Sequence, residues 1–116
     1  MLRIAISLLT LLAFTSVFAY KANPSIRSGN SEYEDEKYTD AEVEYRKGIQ
    51  ADKYSVESAY NLGNSLYKQE KYKEAAYVYN DALKHFPTDY DLNYNLGIVY
   101  TMLNDFQNAK MCYEKA

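Results

Sequence analysis

The side chains that could carry out catalysis are few in this sequence and are not arranged as catalytic sets. Cys112 is the only cysteine and His85 the only histidine. We expect Cys112 to be a buried or interfacial thiol on the last helix, because no second histidine is available to activate it. His85 immediately precedes Phe86-Pro87, where an imidazole can cap the carbonyl end of a helix. The sequence therefore predicts no catalytic residue.

Metal and cofactor sites are also not indicated. One cysteine and one histidine exclude a disulfide framework within the chain and argue against a Cys/His zinc site. The acidic run at residues 32–36 is typical of a solvated helix face and does not form a metal cage or a pair of acid/base carboxylates. No glycine-rich phosphate loop is present, because each glycine falls inside a predicted helix. We expect no cofactor, no metal and no small-molecule substrate.

The composition is that of one folded domain that does not bind nucleic acid. The chain has 116 residues, of which 47% are apolar and 25% charged, so neither disorder nor burial of the whole chain in a membrane is indicated. The formal net charge is −3 and the pI about 5.1. Nucleic-acid binding normally requires a basic surface, which this balance does not supply.

The start of the chain, from Met1 to Ala19, has the pattern of a secretory signal peptide. Arg3 gives a short positive segment, an uncharged apolar run follows, and Val17-Phe18-Ala19 suits a signal peptidase. We expect cleavage after Ala19, with Ala22 as a second choice, so that residues 20–116 form the mature domain. The alternative is an uncleaved anchor, although this apolar run is shorter than a typical membrane span. The signal predicts export, to the periplasm or an envelope-associated location.

Similar residues recur along the mature chain at a constant spacing, which we call the period. It equals the distance in sequence from Gly29 to Gly63 and again from Gly63 to Gly97. Four sets of similar residues keep this step, and a recurrence of this kind indicates stacked supersecondary units. The sets are Gly29/Gly63/Gly97, Ala41/Ala75/Ala109, Tyr45/Tyr79/Tyr113 and Tyr38/Tyr72/Phe106.

Each unit is predicted to be a helical hairpin. In the second unit, apolar residues at three- and four-residue spacing predict helices over about 56–69 and 73–85, joined by a short polar turn. Pro87 ends the second helix, and Thr88-Asp89 is a plausible N-cap for the next one. Small residues at Gly63 and Ala75 allow the two helices to approach closely.

These positions resemble the tetratricopeptide repeat (TPR). The second unit matches the TPR pattern with Leu62, Gly63, Leu66, Ala75, Tyr79, Ala82 and Pro87, and the third with Leu96, Gly97, Tyr100, Ala109, Tyr113 and Ala116. The first unit is degenerate, with Ser28, Gly48 and Lys53 at three pattern positions. The resemblance implies an all-α, right-handed superhelix, an α-solenoid of about three repeats spanning 22–55, 56–89 and 90–116, the last incomplete.

The last repeat has an apolar second helix with no following helix to cover it. Phe106, Met111 and Tyr113 belong to this uncovered face, and solenoids need a capping element at such a position. We expect either that the natural protein continues beyond residue 116, or that a partner or a second copy covers the face.

The resemblance implies a concave groove lined by the first helix of each repeat. Tyrosines there would offer broad contact area with a polar tip, and asparagine amides can pair with a peptide backbone of any sequence. The alternative for the tyrosines is packing between repeats, which we expect for Tyr79 and Tyr113. Ile26 and Thr101 are expected to face the groove as well. The groove residues predicted to bind a partner are Asn30, Tyr33, Tyr60, Asn61, Asn64, Tyr67, Lys68, Tyr94, Asn95 and Ile98.

The carboxylate clamp by which many TPR domains hold a chaperone tail is not reproduced here. Asn30 and Asn61 match it, but its cationic positions are Ile26, Asp91 and Asn95. The predicted function is therefore a non-catalytic scaffold that binds a segment of another envelope protein. The alternatives are a self-associating module that pairs through its last helix, and an accessory domain of a longer exported protein.

The order of features is also similar to the secreted TPR proteins of the Bacteroides aerotolerance (Bat) operons. The matching segments are the signal peptide and residues 26–30, 40–47 and 60–69. That resemblance implies an envelope complex linked to stress tolerance, with von Willebrand factor A-type proteins as partners. It supplies no catalytic residues.

Overall fold

Six α-helices and short turns make up the part of the chain that the structure describes. The structure is a computed structural model, and it describes residues 23–51 and 55–116. The helices are α1 (Pro24–Glu34), α2 (Tyr38–Ala51), α3 (Val56–Lys68), α4 (Tyr72–Leu83), α5 (Tyr90–Met102) and α6 (Phe106–Lys115). The two helices expected in the second repeat are present, and each ends slightly earlier than expected. The predicted signal peptide and its cleavage site lie outside the described residues.

The first helix of each repeat begins with a side-chain cap. Asn23, Ser55 and Asp89 each accept a hydrogen bond from the backbone N–H three residues later, which satisfies one of the free donors of the first turn. Pro24 follows its cap directly, where a proline ring fits the first helical turn. The cap expected at Asp89 is thus confirmed, with Leu92 N 2.9 Å from the Asp89 carboxylate.

The turn inside each hairpin has the same backbone geometry in all three repeats. Glu36, Glu70 and Asn104 adopt φ values of 60°, 61° and 59°, and each follows the previous one by one period. In the second turn, Glu70 N–H donates to Tyr67 O and Lys71 N–H donates to Leu66 O, both at 2.9 Å. This is the Schellman pattern, which glycine usually supplies. Its recurrence with glutamate and asparagine fixes how the second helix of each repeat turns back on the first.

A tyrosine-on-glycine contact holds the two helices of each hairpin together. A Cβ atom added at Gly29 would lie 2.6 Å from the Tyr45 ring, and one added at Gly63 would overlap the ring of Tyr79. Glycine is required here because a side chain would occupy the space of the ring, which confirms the predicted close approach at Gly63. Tyr45 and Tyr79 are 2% and 1% exposed.

Successive hairpins stack into a right-handed α-solenoid, mainly through the second helix of one repeat against the first helix of the next. α2 packs against α3 and α4 packs against α5, and there are smaller contacts of α1 with α3 and of α3 with α5. Within the described residues the backbones of α2 and α4, and those of α4 and α6, do not come close, although Arg46 of α2 and Glu74 of α4 form an ion pair at 3.6 Å. Leu62, Leu66, Leu92 and Leu96 lie in one continuous core with the buried tyrosines. This arrangement places the first helices along one edge and leaves gaps between the second helices along the other.

The two junctions between repeats are chemically different. At the first, Gln69 donates to Glu42 at 3.0 Å, and Lys71 lies 3.2 Å from the same carboxylate. At the second, the residues one period later are Ala76, which is buried, and Leu103, which packs against the core. The first junction therefore depends on a charged hydrogen-bond network and the second on apolar contact.

Large apolar side chains are exposed on the last hairpin, as the sequence predicts. Phe106, Met111 and Tyr113 are 63%, 49% and 41% exposed. The expectation that Tyr113 packs between repeats is met only in part: its ring lies against Gly97, but its outer face is open. Tyr79 is fully covered because α5 lies over it.

Candidate binding groove

The ten residues predicted to bind a partner all lie on α1, α3 and α5, the helices that line the concave edge. None is fully buried, and Lys68 and Tyr94 are exposed, so each retains surface that a ligand could contact. Ile26 differs, because it is only 8% exposed and lies close to Gly48 of α2. Assigning Ile26 to the groove was wrong: the first hairpin lacks a bulkier residue at Gly48, and Ile26 packs there instead.

A pocket of about 160 Å³ opens on the groove at the first repeat. Its lining residues come from three helices and are Asn30, Tyr33, Glu34, Tyr45, Asn61 and Asn64. Glu34 and Tyr45 were not among the predicted groove residues. Their positions in the repeat period were a usable signal, since Glu34 precedes the turn and Tyr45 faces Gly29.

A second pocket of about 110 Å³ lies one repeat further along the groove. It is lined by Asn64, Tyr67, Tyr79, Asn95 and Ile98. Each of these follows a member of the first pocket by one period, so the two pockets are equivalent positions of the repeat. We call them the first and second groove pockets.

An asparagine–tyrosine ladder forms the floor of both pockets. Tyr45 Oη donates to Asn30 Oδ1 at 2.7 Å, and Asn61 Nδ2 donates to the same oxygen at 3.3 Å. One repeat later, Tyr79 Oη donates to Asn64 Oδ1 at 2.5 Å, and Asn95 Nδ2 donates to it at 2.9 Å. The asparagine oxygen thus joins the second helix of its own repeat to the first helix of the next.

The ladder leaves one half of each amide available. Within the described residues no hydrogen bond is made by Nδ2 of Asn30 and Asn64 or by Oδ1 of Asn61 and Asn95. The groove floor therefore offers a donor and an acceptor at each step, and these two groups match the C=O and N–H of a peptide backbone.

The ladder stops at the third repeat. Ile98 occupies the place of Asn30 and Asn64, and the Tyr113 hydroxyl instead lies 3.4 Å from Thr101 Oγ1. The groove is consequently polar at its first step and more apolar at its second.

Burial keeps the ladder tyrosines in the neutral, hydrogen-donating form. Burial, followed by the nearby Tyr33, Glu57 and Glu34, raises the pKa of Tyr45 from 10.0 to about 12. Burial raises the pKa of Tyr79 further, although a hydrogen bond from Asn95 acts against this shift. Both hydroxyls therefore remain donors to their asparagines at neutral pH.

Three other predicted residues lie along the groove outside the two pockets. Tyr94 stacks on Tyr90 with ring centroids 5.8 Å apart and also contacts Tyr113. Tyr60 is half-buried against the core, and Lys68 is the exposed last residue of α3.

The residues considered for catalysis have ordinary surroundings. Cys112 is buried, and burial raises the pKa of its thiol, which disfavours the reactive thiolate. His85 is exposed beyond the end of α4, with its ring 6.4 Å from that of Phe86. Among residues 23–51 and 55–116, no three His, Cys, Asp or Glu side chains come together as a possible metal site.

A further pair of pockets lies between the second helices. One, of about 170 Å³, has Arg46 and Ile49 of α2 on one side, Tyr77 and Val78 of α4 on the other, and Leu62 on its floor. The other lies one period later between α4 and α6, with Met111 and Lys115 on its rim. No helix in the described part of the chain is both long and apolar enough to cross a membrane.

Helical hairpins that recur at a constant period, stack on one another and present a concave groove define the class of α-solenoid repeat proteins. Two family models for the tetratricopeptide repeat match the chain, over residues 56–89 and 78–111. The matched segments together span residues 56–111, so this part of the chain is similar to the tetratricopeptide repeat, a kind of repeat that is typically a non-catalytic interaction module.

Solved structures share this fold. The second TPR domain of Spaghetti (RPAP3), bound to the HSP90 peptide SRMEEVD, is 25% identical, with a TM-score of 0.77 over 82% of this chain and 88% of that one. The Yersinia enterocolitica type III secretion translocator chaperone SycD is 14% identical, with a TM-score of 0.78 over 82% and 72%.

A chain of the CopN-Scc3 complex is 23% identical, with a TM-score of 0.74, and the match covers 78% of this chain and 54% of that one. The match thus spans about half the length of that chain. No curated protein sequence matches this chain at a significant level.

Proposed function

We propose that this protein is a non-catalytic scaffold of the bacterial cell envelope that binds a segment of another protein in its concave groove. The observation that carries the proposal is the pair of equivalent groove pockets, each with a tyrosine wall and an asparagine floor. Tyrosine supplies contact area with little loss of side-chain freedom, and the free halves of the amides are suited to a peptide backbone.

The ligand is proposed to be different from an acidic chaperone tail. The Spaghetti domain is described as bound to a peptide that ends in Glu-Glu-Val-Asp. In the present groove, Asp91 and Asn95 stand where a carboxylate clamp would have cations, and Glu34 adds a negative charge to the first pocket. An acidic tail would be repelled there, so a ligand with an accessible backbone and a less acidic sequence is favoured.

The proposed location and complex follow from the segment Met1 to Ala19 and from the resemblance to the Bat-operon proteins. A signal peptide would export the chain to the periplasm or the envelope. A von Willebrand factor A-type protein would then be the partner, in a complex linked to stress or aerotolerance.

The proposal can be tested by photo-crosslinking from defined positions in the source cell. A photoreactive phenylalanine analogue is placed at Tyr67, which lines the second groove pocket, and in a matched protein at Tyr77, which is 73% exposed outside the groove. The crosslinked products are identified by mass spectrometry after fractionation of the cell.

The expected result is one envelope protein crosslinked from position 67 and absent from position 77. A von Willebrand factor A domain in that product would support the Bat-type complex. Recovery of the same products from both positions, or recovery of cytosolic proteins alone, would contradict the proposed groove function or the proposed location respectively. The mass of the purified protein tests removal of the segment that ends at Ala19.

Self-association through the last hairpin is the second candidate function. The exposed Phe106, Met111 and Tyr113 favour it, because apolar side chains of this size are common in interfaces. Sedimentation equilibrium distinguishes the two: a mass that increases with concentration, and falls to that of a monomer in Phe106→Ser, would support self-association.

A further inference from the structure

We propose that the two groove pockets select an extended peptide by the order of its charges: a cationic side chain in the first pocket, an apolar side chain in the second, and a carboxylate beside the latter, paired with Lys68. This inference deepens the proposed function and rests on it. It concerns the class of peptide that binds, and it makes no use of the location of the protein.

The linings of the two pockets differ in residue type at one equivalent position, and the charged residue at the end of the first helix also differs between the two repeats. Asn64 in the first pocket is replaced by Ile98 in the second, which makes the second pocket more apolar. Glu34, the last residue of α1, lines the first pocket, whereas its equivalent Lys68, the last residue of α3, lies outside the lining of the second pocket. The equivalent helix ends therefore place a negative charge in the first pocket and a positive charge on the groove near the second.

Glu34 is poorly placed for the stability of its own helix. A carboxylate at the C-terminal end of a helix opposes the helix dipole, whereas a lysine in that position favours it. Within the described residues neither Glu34 nor Lys68 takes part in an ion pair. Both charges are consequently available to a ligand, and a cation in the first pocket would offset the unfavourable position of Glu34.

The amide groups of the ladder favour an extended ligand over a helical one. The free Nδ2 of Asn30 and Asn64 and the free Oδ1 of Asn61 and Asn95 need backbone partners, and the backbone of a helix is already paired internally. An extended chain keeps its N–H and C=O groups available.

The distance between the two pockets matches the length of three residues of an extended peptide. α1 and α3 are in contact, and helices in contact lie about 8–10 Å apart. A polyproline II chain has three residues per turn and rises about 3.1 Å per residue. Side chains three positions apart would therefore point the same way and reach neighbouring pockets of about 160 and 110 Å³.

The test uses four capped synthetic peptides on a Ser/Pro background. In the first, Lys is followed three residues later by Leu and then by Glu; in the second, Lys and Glu are exchanged. The third and fourth are the same sequences written in reverse, because the direction of binding is part of the question. Binding to the purified protein is measured by fluorescence anisotropy.

The decisive variant is the charge exchange Glu34→Lys with Lys68→Glu, which leaves the net charge unchanged. Both positions are exposed, so the fold is expected to be retained, and circular dichroism checks this. The parent protein should prefer the peptides in which Lys lies three residues from Leu, in whichever of the two directions binds, by about two- to fivefold for each charge. The double variant should prefer the exchanged peptides by a similar factor.

Each outcome bears on one of the two proposals. A preference that the charge exchange leaves unchanged, or failure of all four peptides to bind at millimolar concentration, would overturn this inference. The crosslinking contrast between positions 67 and 77 does not depend on charge order, so the proposed groove function could still hold. If Tyr77→Ala weakens peptide binding as much as Tyr67→Ala does, the groove itself is not the binding site.

Discussion

Replacing Asn64 with alanine is expected to destabilise the solenoid by disrupting the ladder between the second and third repeats. Asn64 Oδ1 accepts from Tyr79 Oη and from Asn95 Nδ2. Tyr79 is 1% exposed, so its hydroxyl would lose the acceptor to which it donates. A stranded buried donor costs about 1–3 kcal/mol and a lost hydrogen bond about 0.5–1.5 kcal/mol. The expected loss in the free energy of unfolding is therefore about 2–4 kcal/mol.

The ladder can be separated from general packing by a double-mutant cycle. Tyr79→Phe removes the hydroxyl and leaves Asn95 bonded to Asn64, so it should cost about 1 kcal/mol. When Asn64→Ala is combined with Tyr79→Phe, no hydroxyl is stranded. The double variant should then be more stable than the sum of the single losses predicts, with a coupling free energy of about 1–2 kcal/mol.

The assay is urea unfolding followed by circular dichroism. Asn80→Ala is the matched control, because Asn80 is exposed and its one side-chain hydrogen bond, to Tyr100 Oη, is also exposed. The control should change the free energy of unfolding by less than about 0.5 kcal/mol. If Asn64→Ala costs no more than the control, or the coupling is zero within error, the ladder does not hold the repeats together.

Three further perturbations test other contacts. Gly63→Ala should lower the free energy of unfolding by about 1–3 kcal/mol, because the added methyl group overlaps the buried Tyr79 ring. Gly97→Ala should lower it less or raise it, because the half-exposed Tyr113 ring can move and alanine favours a helix. Urea unfolding compares the two variants. Burial alone would raise the pKa of Glu42, but its hydrogen bonds from neighbouring basic and amide side chains outweigh this and lower it from 4.5. The stability that Glu42 contributes should therefore be present above pH 4.5 and lost as the pH falls through the lower folded pKa, and Glu42→Gln should remove this component from unfolding curves measured across that range. The Tyr45 phenol has a raised pKa, so its contribution should be complete below pH 10 and lost between pH 10 and about 12; tyrosinate absorbance should rise with loss of helicity, and Tyr45→Phe should lack that step.

The architecture was predictable because a repeat shows the same contact several times. Gly63 and Tyr79 alone would be weak signals, but the same pair one period earlier and later identifies a hairpin. The helix ends were predicted closely, since a capping residue and a proline mark them locally. The backbone conformation of Glu70 was not predicted, because glutamate rarely adopts a left-handed φ and only the turn as a whole imposes it.

The groove was predictable in its location and less so in its chemistry. The period assigns residues to the first helices, and the structure places all ten predicted binding residues there. The period does not show which atoms of Asn64 are already hydrogen-bonded, since that depends on the approach of Tyr79 from the second helix of the repeat. Glu34 belongs to the acidic run that was expected to be a solvated helix face, although its position one period before Lys68 was a signal that it borders the groove. Ile26 was assigned to the groove by register, whereas the space at Gly48 decided its packing.

The two edges of the solenoid are held together in different ways. The first helices of successive repeats are joined directly through the asparagine amides, while pockets separate the second helices, which the Arg46–Glu74 ion pair bridges between α2 and α4. A change in curvature would open or close the gaps along the outer edge before it altered the step along the inner edge. The spacing between repeats along the concave face would therefore stay constant while the array as a whole can still bend. A ligand would meet its recognition positions at a constant spacing, whatever the curvature of the array.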